Sequence, residues 1–230
     1  MTILAPATDA VRTEWQARVA AEYAVCAVAQ ELARRLTLFG SPPELIEQAL
    51  TMALDELAHA RLAAEVCAAS GAQGAVIFDP DEFAVETAEH PAVNIAVAAV
   101  PSLCLGETLA LRLIHHLRDN ARVDAARRAL DRVVADEPRH AALGWETLDW
   151  LLDGPDAEVV RDAVEHALPR WVDTLRGSFA GPVPEPHLGS LGDGDLLWGL
   201  APVGDYRAVF EETVERDWKP RLARRGFHLG

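Results

Sequence analysis

A chain of 230 residues, half of them hydrophobic and a quarter charged, has globular composition and enough length for a sizeable core. Its net charge is −15, and Lys219 is the only lysine among 21 basic residues. So acidic a surface argues against a nucleic-acid partner, which needs clustered cations, and against an anionic membrane surface.

The three cysteines, Cys26, Cys67 and Cys104, form no Cys-x-x-Cys pair and are odd in number. That argues against a disulfide framework, a zinc ribbon or a rubredoxin-type iron site, and it fits a reducing cytoplasm. The N-terminal MTILAPATDAVRTEW has no basic region followed by a long apolar run, so no signal peptide is expected. The apolar stretch 93–105 contains Asn94 and Pro101 and is too short to span a bilayer.

Strand signals are almost absent, and helical periods dominate. A first helix is predicted from Thr8 or Asp9, as N-cap, to Leu38, stopping at Gly40. Ser41 is the expected N-cap of a second helix over 42–70, with Pro42 at its first position and Gly71 at its end. Residues 71–90 read as a linker. A third helix is predicted over 91–118, closed by Asp119-Asn120, with Pro101 expected to kink or bulge it. A fourth covers 121–152. Four helices of this length, each roughly 42–48 Å long, match an all-α four-helix bundle with short 1–2 and 3–4 turns and a long 2–3 crossover. The bundle is assigned to residues 1–154. Residues 155–230 form a helical extension packed on it: a fifth helix over 155–176, a Gly- and Pro-rich loop over 177–202, and a sixth helix over 203–224.

The motif Asp-Glu-x-x-His-Ala occurs twice, as DELAHA at 55–60 and DEPRHA at 136–141. Each copy places a glutamate and a histidine at i, i+3 on one helix face: Glu56 with His59, and Glu137 with His140. In an antiparallel hairpin, residues equally far from the turn lie side by side. Glu22, isolated among apolar residues in AAEYAVCAVA, is therefore the best partner for Glu56; Glu31, beside cations in AQELARR, reads as a solvated position. On the third helix Glu107, isolated in PSLCLGETLALRL, faces Glu137. Four carboxylates and two imidazoles meeting in one interior would repel one another without cations.

This order resembles the ferritin-like di-iron carboxylate proteins, over about residues 10–153. DEPRH at 136–140 also fits the Asp-Glu-x-Arg-His form of bacterial multicomponent monooxygenases and acyl-carrier desaturases, and the surrounding wording looks most like small bacterial ferritin-like domain proteins. The resemblance implies two metal ions, iron (or manganese, or one of each), on Glu22, Glu56, His59, Glu107, Glu137 and His140. Glu56 and Glu137 would bridge. Asp55 and Asp136 would each orient the histidine of the other hairpin, with Arg139 pairing to one of them. Carboxylate and imidazole donors suit iron or manganese.

Cys26 and Cys104, one turn from Glu22 and Glu107, are expected near the metals, as small core filler or as pocket lining. Gly106 and Gly144 either leave room beside the site or let helices approach. Tyr23 points about 100° from Glu22 and reads as core. His115, His116, His166 and His187 have no partner spacing and are expected at the surface. Pro138, between two ligands, predicts a kink or π-type bulge over 134–138.

The expected function is a cytoplasmic, O2-dependent di-iron oxidoreductase acting on a small organic substrate by hydroxylation, desaturation, N-oxygenation or oxidative cleavage. It would use an external electron donor and form a homodimer, with no nucleic-acid or membrane partner. The alternatives are a ferroxidase or other iron-handling protein, and a rubrerythrin-like peroxidase.

Overall fold

The computed structural model describes residues 6–74, 76, 78, 83–180 and 191–229, and all regular structure among these is helical. Helix α1 (Asp9–Phe39) starts where the Thr8 side chain accepts from the Val11 amide, and ends at Gly40. Gly40 adopts φ 77°, a left-handed conformation that glycine takes without steric penalty, and so lets the chain turn back. Helix α2 (Pro43–Ser70) follows at once. The expected capping by Ser41 does not occur: Pro42 occupies the N-cap position and the Ser41 hydroxyl is buried without a hydrogen-bond partner among the described residues. The pre-set φ of a proline starts the helix there without a side-chain cap.

The third predicted helix is continuous from Pro91 to Asn120 but has three parts: α3 (Pro91–Ala99), a π-helical segment (Val100–Glu107) and α4 (Thr108–Asn120). The π segment starts one residue before Pro101, the residue expected to disturb the helix. Over 91–120 the helix is long and apolar enough to cross a membrane, yet most of its apolar window is buried within the protein. Helix α5 (Asp124–Leu152) runs on as unbroken α-helix through Pro138, so the π-type bulge expected there is absent. Pro138 faces solvent, where the carbonyl it leaves unbonded can be hydrated.

Helix α1 lies along α2, α2 along α5, and α5 along the π segment and α4, giving a helical bundle. The C-terminal part comprises α6 (Ala157–Ala180), a short α7 (Asp193–Leu196) within the predicted loop, α8 (Val203–Thr213), a second π segment (Val214–Trp218) and α9 (Lys219–Ala223). Residues 181–190 of that loop, including His187, lie outside the described residues. The extension shares the bundle's core, contributing buried Trp171, Trp198, Phe210 and Trp218. It is also stitched to the bundle by polar contacts. Trp15 Nε1 donates to Trp198 O at 3.0 Å, and the amides of Arg122 and Val123 donate to Leu197 O.

Candidate metal centre

Helix α1 supplies Glu22, α2 supplies Glu56 and His59, the π segment ends on Glu107, and α5 supplies Glu137 and His140. These six side chains meet inside the bundle. Glu22, Glu56 and His59 form one group whose donor atoms lie within 4.8 Å of one another; Glu56, Glu107, Glu137 and His140 form another. Glu56 belongs to both. Five of the six are fully buried, and Glu22 is mostly buried, its side chain 19% exposed. Glu31, the competing acid on α1, is instead paired with Arg34 and Arg35 on its own helix.

The imidazoles are oriented in mirror fashion. His59 Nε2 lies 3.1 Å from Asp136 Oδ2, and His140 Nε2 lies 3.3 Å from Asp55 Oδ2. Each aspartate therefore serves the histidine of the opposite hairpin. A carboxylate accepting from Nε2–H fixes the tautomer and leaves the Nδ1 lone pair free. Both Nδ1 atoms point at the carboxylates: His59 Nδ1 is 3.3 Å from Glu56 Oε2, and His140 Nδ1 is 2.8 Å from Glu56 Oε1. The latter pair is close but lacks hydrogen-bonding geometry, so among the described residues both atoms are buried without a hydrogen-bond partner, as is Glu137 Oε2. Orphaned buried acceptors turned toward one point are what a cation would satisfy.

Two half-exposed arginines pair with the aspartates on the outer side of this arrangement. Arg139 Nη2 donates to Asp55 Oδ2 at 2.9 Å and to Asp136 Oδ1 at 2.8 Å, so it pairs with both aspartates rather than one. Arg132 does the same, through Nη2 to Asp55 at 3.1 Å and through Nε to Asp136. Arg132 escaped the sequence reading; its only signal was its place four residues before Asp136 on one helix.

The protein alone must hold protons to keep so many acids together. Burial pushes Glu22 up to about 8, and burial followed by the neighbouring Glu107 pushes Glu137 well above the carboxylate range. Glu107 is raised by burial as well. Glu56 is the exception: burial acts upward, but the two imidazoles outweigh it and hold Glu56 down at about 2. Burial disfavours charge on His59, yet Glu22 and Glu56 lift it to about 10. Cations would take the place of those protons.

On the side away from the arginines, the carboxylates open onto a cavity of about 650 Å³ between α1, the π segment, α4, α5 and α6, bounded also by Tyr206 of α8. Glu22, Glu56, Glu107 and Glu137 all reach its wall, and the rest of that wall is mainly apolar. Pro101 and Gly106 of the π segment line it. A methyl at Gly106 would touch only Pro101 O, at 3.5 Å, so this glycine borders open space.

The other expected lining residues lie elsewhere. A methyl at Gly144 would sit 2.7 Å from backbone atoms of Leu103 and Cys104, so Gly144 serves close approach of α5 to the π segment. Cys104 is fully buried with its thiol pushed up by burial, and Cys26 donates to Ala53 O at 3.3 Å; neither lines the cavity. Tyr23, expected in the core, is 38% exposed and packs edge-on against Phe78. Trp171, Leu175 and Phe179 of α6 line the cavity although no spacing in the sequence pointed to them.

No family model matches the chain, and no curated protein or solved structure matches it.

Proposed function

We propose that this chain is a ferritin-like di-metal protein that uses two iron ions (or manganese, or one of each) and O2 to oxidise a small, largely apolar organic molecule. The observation that carries the reading is one site with two unlike sides. The buried histidines are held by an Asp–Arg cage on the outer side, and the carboxylates face an apolar cavity.

The hairpin order supports the ferritin-like assignment. α1–α2 and α4–α5 are joined by short turns, and the segment between α2 and α3 is long. Glu56, common to both donor groups, is the natural bridge, with Glu22 and His59 on one side and Glu107, Glu137 and His140 on the other. The donors are all carboxylate or imidazole, a set suited to iron or manganese.

When bound, such a metal pair supplies the redox chemistry with O2. The protein's part is distinct. Asp55 and Asp136 hold the imidazole Nε2–H bonds and so aim Nδ1 inward. Arg132 and Arg139 neutralise the aspartates on the outer side. The apolar wall excludes water from the carboxylate side and leaves room for an organic molecule beside the donors. Iron storage or simple Fe2+ oxidation makes no use of such a cavity, which is why a substrate oxidase is preferred to those readings.

Metal analysis of the purified protein should give about two metal ions per chain, the number the bundle type holds. Glu56→Ala should remove most of it. O2 uptake by the Fe2+-loaded protein should rise on adding an apolar organic substrate. Unchanged metal content in Glu56→Ala, or O2 uptake indifferent to every added organic compound, would overturn the reading.

A further inference from the structure

The outer face of α2 carries an uncovered apolar stripe. Among the described residues six large hydrophobic side chains are exposed, and two of them, Leu50 at 51% and Leu54 at 70%, stand one turn apart on this helix. Tyr23 and Phe78, by contrast, pack against each other. Single exposed leucines are ordinary, but two neighbours on one face leave a continuous apolar patch in water. Ala58, one turn after Leu54 and partly buried, continues the stripe.

The charges at its two ends are placed symmetrically. Glu47 lies seven residues before Leu54, and Arg61 seven after it. Seven residues are nearly two turns, so both stay within about 20° of Leu54 round the helix, each about 10 Å from it along the axis. Both are exposed, and neither forms an ion pair among the described residues. Elsewhere the chain pairs surface arginines with its own acids, as in Arg34 with Glu31, Arg118 with Asp131 and Arg225 with Asp149.

A two-fold axis through Leu54, perpendicular to α2, sets this stripe on its own copy. Residues equally far from Leu54 on opposite sides then face each other, as an isologous interface requires. Leu54 meets its own counterpart, Leu50 meets Ala58 (a large side chain over a small one), and Glu47 meets Arg61 twice. Moving the axis to Met52, between the leucines, puts Glu47 opposite Leu57 and Arg61 opposite Pro43, and pairs neither charge. A parallel arrangement brings glutamate to glutamate and arginine to arginine. Copies of a chain with net charge −15 repel at a distance, and the two Glu47–Arg61 pairs supply opposite charge where the surfaces touch.

We infer that the protein forms an antiparallel homodimer through α2, centred on Leu54, with Glu47 paired to the partner's Arg61. This goes beyond the proposed function and does not rest on it. Glu56 and His59 lie about 140–160° round α2 from Leu54, so the face leaves the candidate metal donors untouched.

The test is sedimentation velocity of the full chain over about 1–100 μM. The parent should show a species of about twice the 24.9 kDa of one chain. Leu54→Asp should raise the dissociation constant about tenfold or more, with helix content by circular dichroism unchanged because the position is exposed. Glu47→Arg and Arg61→Glu, each alone, should weaken the dimer by about tenfold or more, since the two-fold repeats every lost pair. Mixed in equal amounts, these two variants should form a heterodimer as tight as the parent, because every arginine at these positions then faces a glutamate. A parent that stays monomeric overturns the inference and leaves the face to a different protein. A Leu54→Asp dimer as tight as the parent also overturns it, as do charge reversals that remain monomeric when mixed.

Discussion

His59 and His140 each commit one ring nitrogen to an aspartate and present the other to the carboxylates, so their orientation depends on Asp136 and Asp55. Asp136→Asn keeps the shape but loses the charge that favours Nε2–H, and its amide can present a donor there instead. Metal affinity in a competitive titration should fall about 10–100-fold, the usual effect of losing such a partner. A separate residue-scale effect lies away from the site. Arg34 and then Arg35 hold Glu31 down at about 2, despite an opposing push from partial burial. Buried Arg35 also donates to Glu86 O at 2.8 Å and to Asn94 O, tying α1 to the segment leading into α3. A depressed carboxylate contributes stability that is full above its ordinary value of 4.5 and is lost as pH falls toward 2. Glu31→Gln should therefore be less stable than the parent at pH 7 and lose less stability between pH 5 and about 2, as read by urea unfolding across that range.

Pro138 and Pro101 both lie within long helices of this bundle, with different outcomes. Pro138 lies on the solvent side of α5, where water can take the carbonyl it frees, and the helix stays α. Pro101 lies against the cavity, and the turns that follow it are π-helical through Glu107. A π turn takes more residues per turn, so it resets the direction in which Glu107 emerges and widens the helix beside Gly106. The opposite face of that segment is packed without slack against Gly144. Gly144→Ala drives a methyl into backbone rather than into a yielding side-chain tip. It should destabilise the fold by about 1–3 kcal/mol in chemical denaturation, the range for overpacking a rigid contact. Gly106→Ala, which meets only Pro101 O at 3.5 Å, should be neutral or better by the same measurement.

At the scale of the whole molecule, the C-terminal part is not an appendage to a finished bundle. Trp171, Leu175 and Phe179 of α6 complete the cavity wall, and Trp198 receives Trp15 of α1. The candidate metal cluster and the core are also coupled: a cation that binds the folded cluster and not the unfolded chain would stabilise the fold by mass action. At about 100 times its dissociation constant, Mn2+ should add about 2.7 kcal/mol. For a chain of this length that is a rise of about 5–10 °C in Tm, read by thermal unfolding with and without the ion. Glu56→Ala, lacking the residue common to both donor groups, should show no such rise.

The sequence by itself determined the helices and which acids and imidazoles share faces. Helical period and Gly–Pro punctuation are local properties, and i, i+3 spacing is fixed by helix geometry whatever the helix packs on. Counting outward from each turn was enough to prefer Glu22 over Glu31, because an isolated acid among apolar residues has nowhere solvated to go. Only the tertiary structure decided the rest. That π turns follow Pro101 while α5 stays α through Pro138 is not encoded in sequence spacing. Arg132 joins Arg139 over two aspartates because two helices come together there. Gly144, Cys104 and Gly106 are indistinguishable as small residues near acids until the packing puts the first two in a tight contact and the third beside open space. The cavity is set by the distance between helices far apart in sequence, and that distance is fixed only when the extension closes over α1 and α4.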